Sequence, residues 1–296
     1  MFYRIPELNY FRAESLEEAL ELISKLDDVK VIAGGTDVII DLKIGRYRVR
    51  NLVDISRIEE LRGIEDRGDY VVVGAATKLQ EIVESPVIRA KAPVLAEAVR
   101  EMGSWQVRNV ATIGGNLCNA SPAADTAPPL MVLGARLRLV SLSGVREVPV
   151  EEFFLGPRKT VLGRGELLKE VVIPYVRRAG TSYIKLGRRN AFTLSIVSVA
   201  TLVRVEDGVF SDVRVALNSV APKPVRAASV EAALKGRAVS EDVIREAAAE
   251  VVKDISPISD VRASAEYRAA MSQVLVKDSI LKSLERLGIK AGAAGR

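Results

Sequence analysis

Histidine is absent from this chain of 296 residues, and cysteine occurs once, as Cys118. The lack of an imidazole excludes a Ser-His-Asp relay and a histidine-ligated zinc centre. A single thiolate cannot form a disulfide within the chain or hold an iron–sulfur cluster. Cys118 stands among small residues, where a lone cysteine more often packs as a small hydrophobe than acts as a nucleophile.

The sequence also lacks an apolar run long enough to span a membrane and the pattern of an N-terminal signal peptide. Its 43 basic and 38 acidic residues are interspersed and leave a formal charge of +5. Mixed charge of this kind is typical of a solvated surface rather than of a nucleic-acid-binding patch. We therefore expect a cytoplasmic protein with no membrane span and no nucleic-acid partner.

Local patterns predict an α+β fold. Ser15 followed by Glu18 forms a capping box ahead of an apolar stripe with helical spacing. Three strands in succession follow residue 181, and helices come after them, which favours an α+β layer over a doubly wound parallel sheet. Short β-branched runs predict earlier strands at 29–33, 51–56, 70–77, 136–142 and 168–174.

Two glycine pairs stand out, one in VIAGGTDVII at 31–40 and one in ATIGGNLCNASPAADTAPPL at 111–130. Neither has the lysine of a Walker phosphate loop or the G-x-G-x-x-G spacing of a classical dinucleotide fold. Glycine permits positive φ and has no Cβ, so two glycine turns can curl backbone N–H groups around an anion such as a pyrophosphate. Such turns are also common as purely structural features.

Asp125 follows the second glycine pair. Its carboxylate suits hydrogen bonds from a ribose or an adenine, and it equally suits the N-cap of a short helix predicted over 125–133. The residues alone leave both interpretations open.

The two motifs together, VIAGGTDVII and QVRNVATIGGNLCNASPAADTAPPLMVLGA, resemble the FAD-binding medium subunit of the molybdenum hydroxylases. This family contains carbon monoxide dehydrogenase, aldehyde oxidoreductase and xanthine dehydrogenase. The resemblance extends over nearly the whole chain and implies a two-part FAD-binding domain of the vanillyl-alcohol-oxidase-like type. The implied parts are 1–56 and 57–176, then a C-terminal α+β domain at 177–287 with a three-stranded sheet and helices, and a flexible tail at 288–296.

The resemblance also implies which residues contact FAD, which in this family lies extended with both glycine turns holding its pyrophosphate. The implied residues at the turns are Val31, Ile32, Ala33, Gly34, Gly35, Thr36, Asp37 and Val38, and Thr112, Ile113, Gly114, Gly115 and Asn116. The resemblance also implies contacts with the adenosine from Asn119 and Asp125. It implies positions beside the isoalloxazine ring for Met102, Leu168 and Lys185. No acid–base catalytic residue and no metal ligand is expected on this chain.

Lys185 has the clearest chemical role among these residues. A reduced flavin carries negative charge near N1 and the C2 carbonyl, which a nearby ammonium group would stabilise. The alternative is a strand lysine that points into solvent, as most lysines do. Phe192 falls near a family position that often carries an aromatic residue beside the ring. Because histidine, a usual attachment residue, is absent, FAD is expected to be non-covalent.

The resemblance implies an electron-transfer subunit that takes electrons from a [2Fe-2S] cluster and passes them to an external acceptor. The molybdenum cofactor and the clusters would lie on a large molybdenum subunit and a small iron–sulfur subunit, in a dimer of heterotrimers. Two other functions remain open: a free-standing FAD-dependent oxidase or reductase of the same fold, and a flavin-free binding module. The substrate of the complex and the electron acceptor cannot be read from this chain.

Overall fold

The computed structural model describes residues 4–292, and the N-terminal part of the chain forms a small parallel sheet covered by helices. The sheet has the strand order β1-β3-β2. The predicted capping box is confirmed, because the Ser15 hydroxyl accepts a hydrogen bond from the Glu18 backbone N–H at 3.1 Å. The elements are β1 (Asn9–Arg12), α1 (Leu16–Lys25), β2 (Val29–Ile32), α2 (Val38–Lys43) and β3 (Asn51–Asp54).

The middle part of the chain is built on a five-stranded antiparallel sheet with the order β4-β5-β10-β6-β7. Two further strands form a separate short hairpin, β8–β9, and Phe154 of this hairpin lies in the core of the middle part. The strands are β4 (Ile64–Asp66), β5 (Tyr70–Gly74), β6 (Arg136–Ser141), β7 (Gly144–Pro149), β8 (Phe154–Gly156), β9 (Lys159–Thr160) and β10 (Leu167–Pro174). The helices are α3 (Leu79–Glu84), α4 (Pro86–Lys91), α5 (Pro93–Arg100), α6 (Trp105–Arg108), α7 (Ile113–Asn119), α8 (Ala127–Val132) and α9 (Val150–Phe153).

The C-terminal part of the chain packs helices on an antiparallel sheet, as the sequence predicts. The sheet has four strands rather than three, because the two-residue strand at Val225–Arg226 pairs with its neighbour. So short a strand has no alternating pattern that a sequence analysis can detect. The elements are β11 (Gly180–Gly187), β12 (Ser195–Glu206), β13 (Val209–Asn218), β14 (Val225–Arg226), α10 (Ala228–Leu234), α11 (Glu241–Ala249) and α12 (Ala265–Arg286).

The three parts share their hydrophobic cores. Leu167 of β10 packs with Leu20 and Val53 of the N-terminal part, and Tyr183 and Ala200 of the C-terminal sheet pack into the core of the middle part. The sheets lie within the segments predicted above, while the domain boundaries themselves stay a prediction. Because apolar contacts cross the boundaries, each boundary is also a packed interface.

The flexible tail predicted from residue 288 makes contacts with the C-terminal part over residues 289–292, and its flexibility stays a prediction. Ile289 and Ala291 pack against the C-terminal core, and the carbonyl oxygen of Gly292 accepts a hydrogen bond from the Glu241 N–H at 3.3 Å. Apolar side chains within this glycine- and alanine-rich segment provide the packing. The rest of the predicted tail lies outside the described residues. Across residues 4–292, none of the helices combines the length and apolarity needed to cross a bilayer.

Candidate functional site

The first glycine pair forms an open connection between β2 and α2. Gly35 adopts a positive φ of 72°, a conformation that glycine reaches without steric strain. Within residues 4–292, the backbone N–H groups of Gly34, Gly35 and Thr36 have no protein hydrogen-bond acceptor. Three successive donors without a partner are the arrangement that an anionic oxygen can accept from.

Gly34 brings the two glycine motifs together. A Cβ placed on Gly34 would lie 2.0 Å from the carbonyl oxygen of Val110 and 2.9 Å from the Cα of Ala111. The backbone just before the second motif therefore runs directly against the first motif, at a distance that only glycine allows. We name residues 33–41 and 110–119 together the glycine region.

The second glycine pair is not a turn, contrary to the sequence prediction. Gly114 and Gly115 lie in the first turn of α7, whose N-cap Thr112 accepts a hydrogen bond from the Gly115 N–H at 3.0 Å. The Ile113 and Gly114 N–H groups donate to the carbonyl oxygens of Thr77 and Ala75. These backbone donors already have partners inside the protein. The low helix propensity of glycine predicts a turn, and packing against the neighbouring segment overrides it.

The two glycines of α7 differ in their surroundings. A Cβ on Gly114 would lie 2.6 Å from the Ala75 carbonyl oxygen, so this residue is needed for helix packing. A Cβ on Gly115 would meet only the Thr112 hydroxyl, at 3.0 Å, and Gly115 is exposed. The surface at Gly115 is therefore the part of α7 that a ligand can approach closely.

Polar side chains surround the glycine region, and one of them, Arg158, was not predicted. The Asn116 amide oxygen accepts a hydrogen bond from the Thr126 hydroxyl at 2.6 Å. Arg158 Nη1 donates to Asn119 Oδ1 at 3.1 Å and to Asp41 Oδ2 at 2.5 Å. Sequence reasoning missed Arg158 because it lies in a charged hairpin turn that is typical of solvated surface.

Asp37 stands at the edge of this region with an exposed outer side. Partial burial, which removes water from the charged form, and the charge of Asp41 raise the pKa of the Asp37 carboxyl. Arg158 and Asn119 oppose that shift. The first glycine segment thus carries two neighbouring carboxylates whose repulsion the Arg158 guanidinium reduces.

Asp125 is neither the helix cap nor a carboxylate open to solvent. Thr126 occupies the N-cap position of α8, and Asp125 is 4% exposed. Its Oδ1 accepts hydrogen bonds from Tyr183 Oη at 2.9 Å, Ser195 Oγ at 3.1 Å and Asn218 Nδ2 at 3.1 Å. These donors all belong to the C-terminal sheet, so Asp125 ties the middle part of the chain to the C-terminal part.

Lys185 completes the cluster around Asp125 and does not point into solvent, so that alternative is wrong. Lys185 Nζ donates to Asp125 Oδ2 at 2.7 Å and to the Glu101 carbonyl oxygen at 3.0 Å, and its side chain is 4% exposed. Burial and the charge of Asp125 raise the pKa of Tyr183, which keeps its hydroxyl a donor to the carboxylate. The cluster therefore holds one ammonium and one carboxylate in fixed positions.

The residues predicted to lie beside the flavin ring differ in burial. Met102 directly follows Glu101 and is half-buried, and Lys185 lines a cavity of about 260 Å³ together with Glu101 and Thr193. Leu168 is 3% exposed, in the core of the middle part beside a bulge in β10. Phe192 is 54% exposed.

Comparisons with known proteins identify the class and the family. The FAD-binding domain in molybdopterin dehydrogenase matches residues 6–176, and the CO dehydrogenase flavoprotein C-terminal domain matches residues 182–283. These two matches define a FAD-binding protein. The chain belongs to the FAD-binding medium subunits of the molybdenum hydroxylases.

Individual relatives from this family align with the chain over nearly their whole length. The glyceraldehyde dehydrogenase medium chain of Sulfolobus acidocaldarius is 36% identical over 91% of this chain and 96% of its own length. The xanthine dehydrogenase FAD-binding subunit of Escherichia coli O157:H7 is 33% identical over 95% and 98%. A solved chain of carbon monoxide dehydrogenase from Hydrogenophaga pseudoflava superimposes with a TM-score of 0.93 at 34% identity, covering 96% of this chain and 99% of that one. The predicted family, fold class, cofactor FAD and oxidoreductase class are confirmed.

The close backbone approach at Gly34 can be tested by adding one methyl group. We expect Gly34→Ala to lower the free energy of unfolding by about 1–3 kcal/mol, the usual cost of overpacking, because the Cβ would meet main-chain atoms that cannot rotate away. Gly115→Ala is the matched control, since its Cβ would approach only the Thr112 hydroxyl. Urea denaturation followed by circular dichroism measures both. Equal stability of Gly34→Ala and the unsubstituted protein would contradict the contact.

The buried Asp125–Lys185 pair predicts a second stability effect. Asp125→Ala leaves the Lys185 ammonium buried without its counter-charge, and we expect a loss of about 3–5 kcal/mol. Asp212→Ala, which removes a partly exposed partner of Arg214, should cost no more than about 1 kcal/mol. The double variant Asp125→Leu with Lys185→Met should be more stable than Asp125→Ala, because it removes both charges. Thermal and urea denaturation measure the stability of each variant. A loss in Asp125→Ala no larger than that in Asp212→Ala would contradict the pairing.

Proposed function

We propose that this chain is the electron-transfer subunit of a heteromeric molybdenum hydroxylase. Its FAD would take electrons from a [2Fe-2S] cluster on a small partner subunit and deliver them to an external acceptor. A large partner subunit would carry the molybdenum cofactor and oxidise the substrate. With one cysteine and no histidine, this chain has too few thiolate and imidazole ligands for an iron–sulfur cluster of its own.

The observation that carries this proposal is the glycine region. It combines the free N–H groups of Gly34, Gly35 and Thr36 with the exposed Cα of Gly115, and the contact at Gly34 holds the two segments side by side. These residues suit a non-covalent dinucleotide because unpaired amides bind phosphate oxygens and a residue without a side chain lets them approach. Bound FAD supplies a redox centre that exchanges electrons between donors and acceptors.

The proposed FAD contacts differ between the two glycine segments. Residues 31–38 offer main-chain N–H groups to the pyrophosphate, whereas residues 112–116 offer the bare surface of Gly115 and the Asn116 side chain. Asn119 lies further along α7, toward the adenosine. Met102, Lys185 and the main chain of Leu168 lie beside the ring.

We assign Asp125 a role different from the adenosine contact predicted from the sequence. Both of its oxygens accept hydrogen bonds from side chains of the C-terminal sheet. Its carboxylate therefore orients the Lys185 ammonium, and the proposed effect of Asp125 on the ring passes through Lys185.

Isolation of the native complex tests the whole proposal. A tag on this chain should recover a yellow-brown assembly in which flavin, iron and molybdenum co-elute with two further polypeptides. Oligomeric state by light scattering then tests the dimer of heterotrimers. Flavin on the tagged chain alone, together with turnover of substrate and acceptor, would favour the free-standing oxidase or reductase. A colourless chain would favour the flavin-free binding module and overturn the proposal. Cytoplasmic location stays a prediction, which fractionation of the source cells would test.

The bare surface at Gly115 predicts a loss of cofactor. Gly115→Val places a branched side chain where the phosphate would approach, and we expect FAD affinity to fall by about 10- to 100-fold, equivalent to ~1–3 kcal/mol of overpacking. Gly292→Val is the control, because a Cβ there meets nothing within 4 Å. Flavin content after gel filtration and circular dichroism measure binding and folding separately. Full flavin content in a folded Gly115→Val protein would remove Gly115 from the site.

The Lys185 ammonium predicts a change in redox potential. Lys185→Met should lower the two-electron midpoint potential of bound FAD by about 30 mV, equivalent to ~1.4 kcal/mol, because negative charge on the reduced ring loses a nearby cation. Lys185→Arg keeps the charge and serves as the control. Spectroscopic redox titration measures both variants, and an unchanged potential in Lys185→Met would exclude the role.

A further inference from the structure

The hairpin turn between β8 and β9 reaches across to the end of α7. Arg158 in this turn adopts a left-handed backbone conformation with φ of 60°, which a residue other than glycine adopts only at an energetic cost. Its N–H donates to the Ala120 carbonyl oxygen at 2.8 Å. Ala120, which ends α7, is itself left-handed with φ of 46°. The turn is therefore fastened by its backbone to the helix that carries the second glycine pair.

The Arg158 side chain continues from this anchor to the other half of the glycine region. Its Nη1 atom donates to Asn119 on α7 and to Asp41 on α2, the helix that follows the first glycine pair. The Asp41 side chain is 3% exposed and that of Arg158 is 34% exposed. A charge-assisted hydrogen bond to a buried carboxylate is stronger than a surface ion pair. One guanidinium thus joins the two helices that begin at the glycine motifs.

Neutralising Asp41 does not by itself require Arg158. Arg46, which follows α2, also forms an ion pair with Asp41. Both arginines contact the same carboxylate, but Arg46 belongs to the N-terminal part of the chain and Arg158 to the middle part. The property that Arg158 adds is the connection between the two parts.

We propose that Arg158 is a positioning residue that holds the two glycine segments together around FAD and so controls how fast FAD is released. This proposal rests on the proposed function, since it takes FAD to lie between these segments. For the dinucleotide to leave, the segments must separate, and the bonds of Arg158 to Asp41 and Asn119 oppose that separation. Arg158 shares no hydrogen-bond partner with Lys185, so it should not affect the flavin potential.

The test compares Arg158→Met with Arg46→Met and Arg158→Lys in the FAD-loaded complex. Release of FAD is followed by the rise of flavin fluorescence after dilution, and the midpoint potential by spectroscopic titration. We expect release from Arg158→Met to be about 10- to 100-fold faster, as for the loss of a hydrogen bond between charged groups. Release from Arg46→Met should stay within about threefold of the unsubstituted protein. Arg158→Lys keeps one charged contact and should restore part of the difference, and every potential should be unchanged.

Three results would overturn the inference. Release from Arg158→Met at the unsubstituted rate would show that the connection does not retain FAD. Equally fast release of FAD from Arg46→Met would show that neutralising the Asp41 charge retains FAD, and that the connection between the two segments does not. A shifted potential would assign Arg158 an electrostatic effect on the ring. A complex without flavin contradicts the proposed function itself, which distinguishes that failure from the other three.

Discussion

The close contact of the Gly34 backbone with Val110 and Ala111 is the constraint on which the site depends. No side chain fits between these segments, since a Cβ would lie 2.0 Å from a carbonyl oxygen. Because the contact is between main chains, it sets how closely the two motifs approach each other. The free N–H groups of the first motif and the exposed Gly115 of the second are therefore placed by backbone packing before any ligand binds.

Two ion pairs that involve buried carboxylates join different parts of the chain. Asp125 with Lys185 connects the middle part to the C-terminal sheet, and Asp41 with Arg158 connects the N-terminal part to the middle part. A buried pair adds little net stability compared with apolar packing, but breaking it is costly. Such pairs therefore favour one arrangement of the parts, which the proposed electron-transfer role would require in order to keep donor and acceptor distances fixed.

Local signals in the sequence predicted much of the fold and singled out two glycine motifs that meet in the structure, but not the polar contacts around them. The Ser15 cap and the glycine motifs can be recognised in the sequence because each is defined by residues that are close together in the chain. The helical form of Gly114 and Gly115 was not predicted, since it depends on the backbone of Ala75 across the fold. The pairing of Asp125 with Lys185 joins residues 60 positions apart, and no local pattern marks such a contact. Arg158 was not predicted for the same reason, because its partner Asp41 lies far away in the sequence.

The charges around the glycine region explain why an arginine, rather than an apolar contact, joins its two halves. Asp37 and Asp41 lie beside the site proposed for a pyrophosphate, and like charges at short range repel. Burial, and after it the neighbouring charge of Asp41, raise the pKa of the Asp37 carboxyl. A guanidinium that bonds to Asp41 and Asn119 offsets this repulsion while it connects the segments, and its planar fork can serve several oxygen acceptors at once. An aliphatic side chain at residue 158 could supply packing alone, without the hydrogen bonds that connect Asp41 to Asn119.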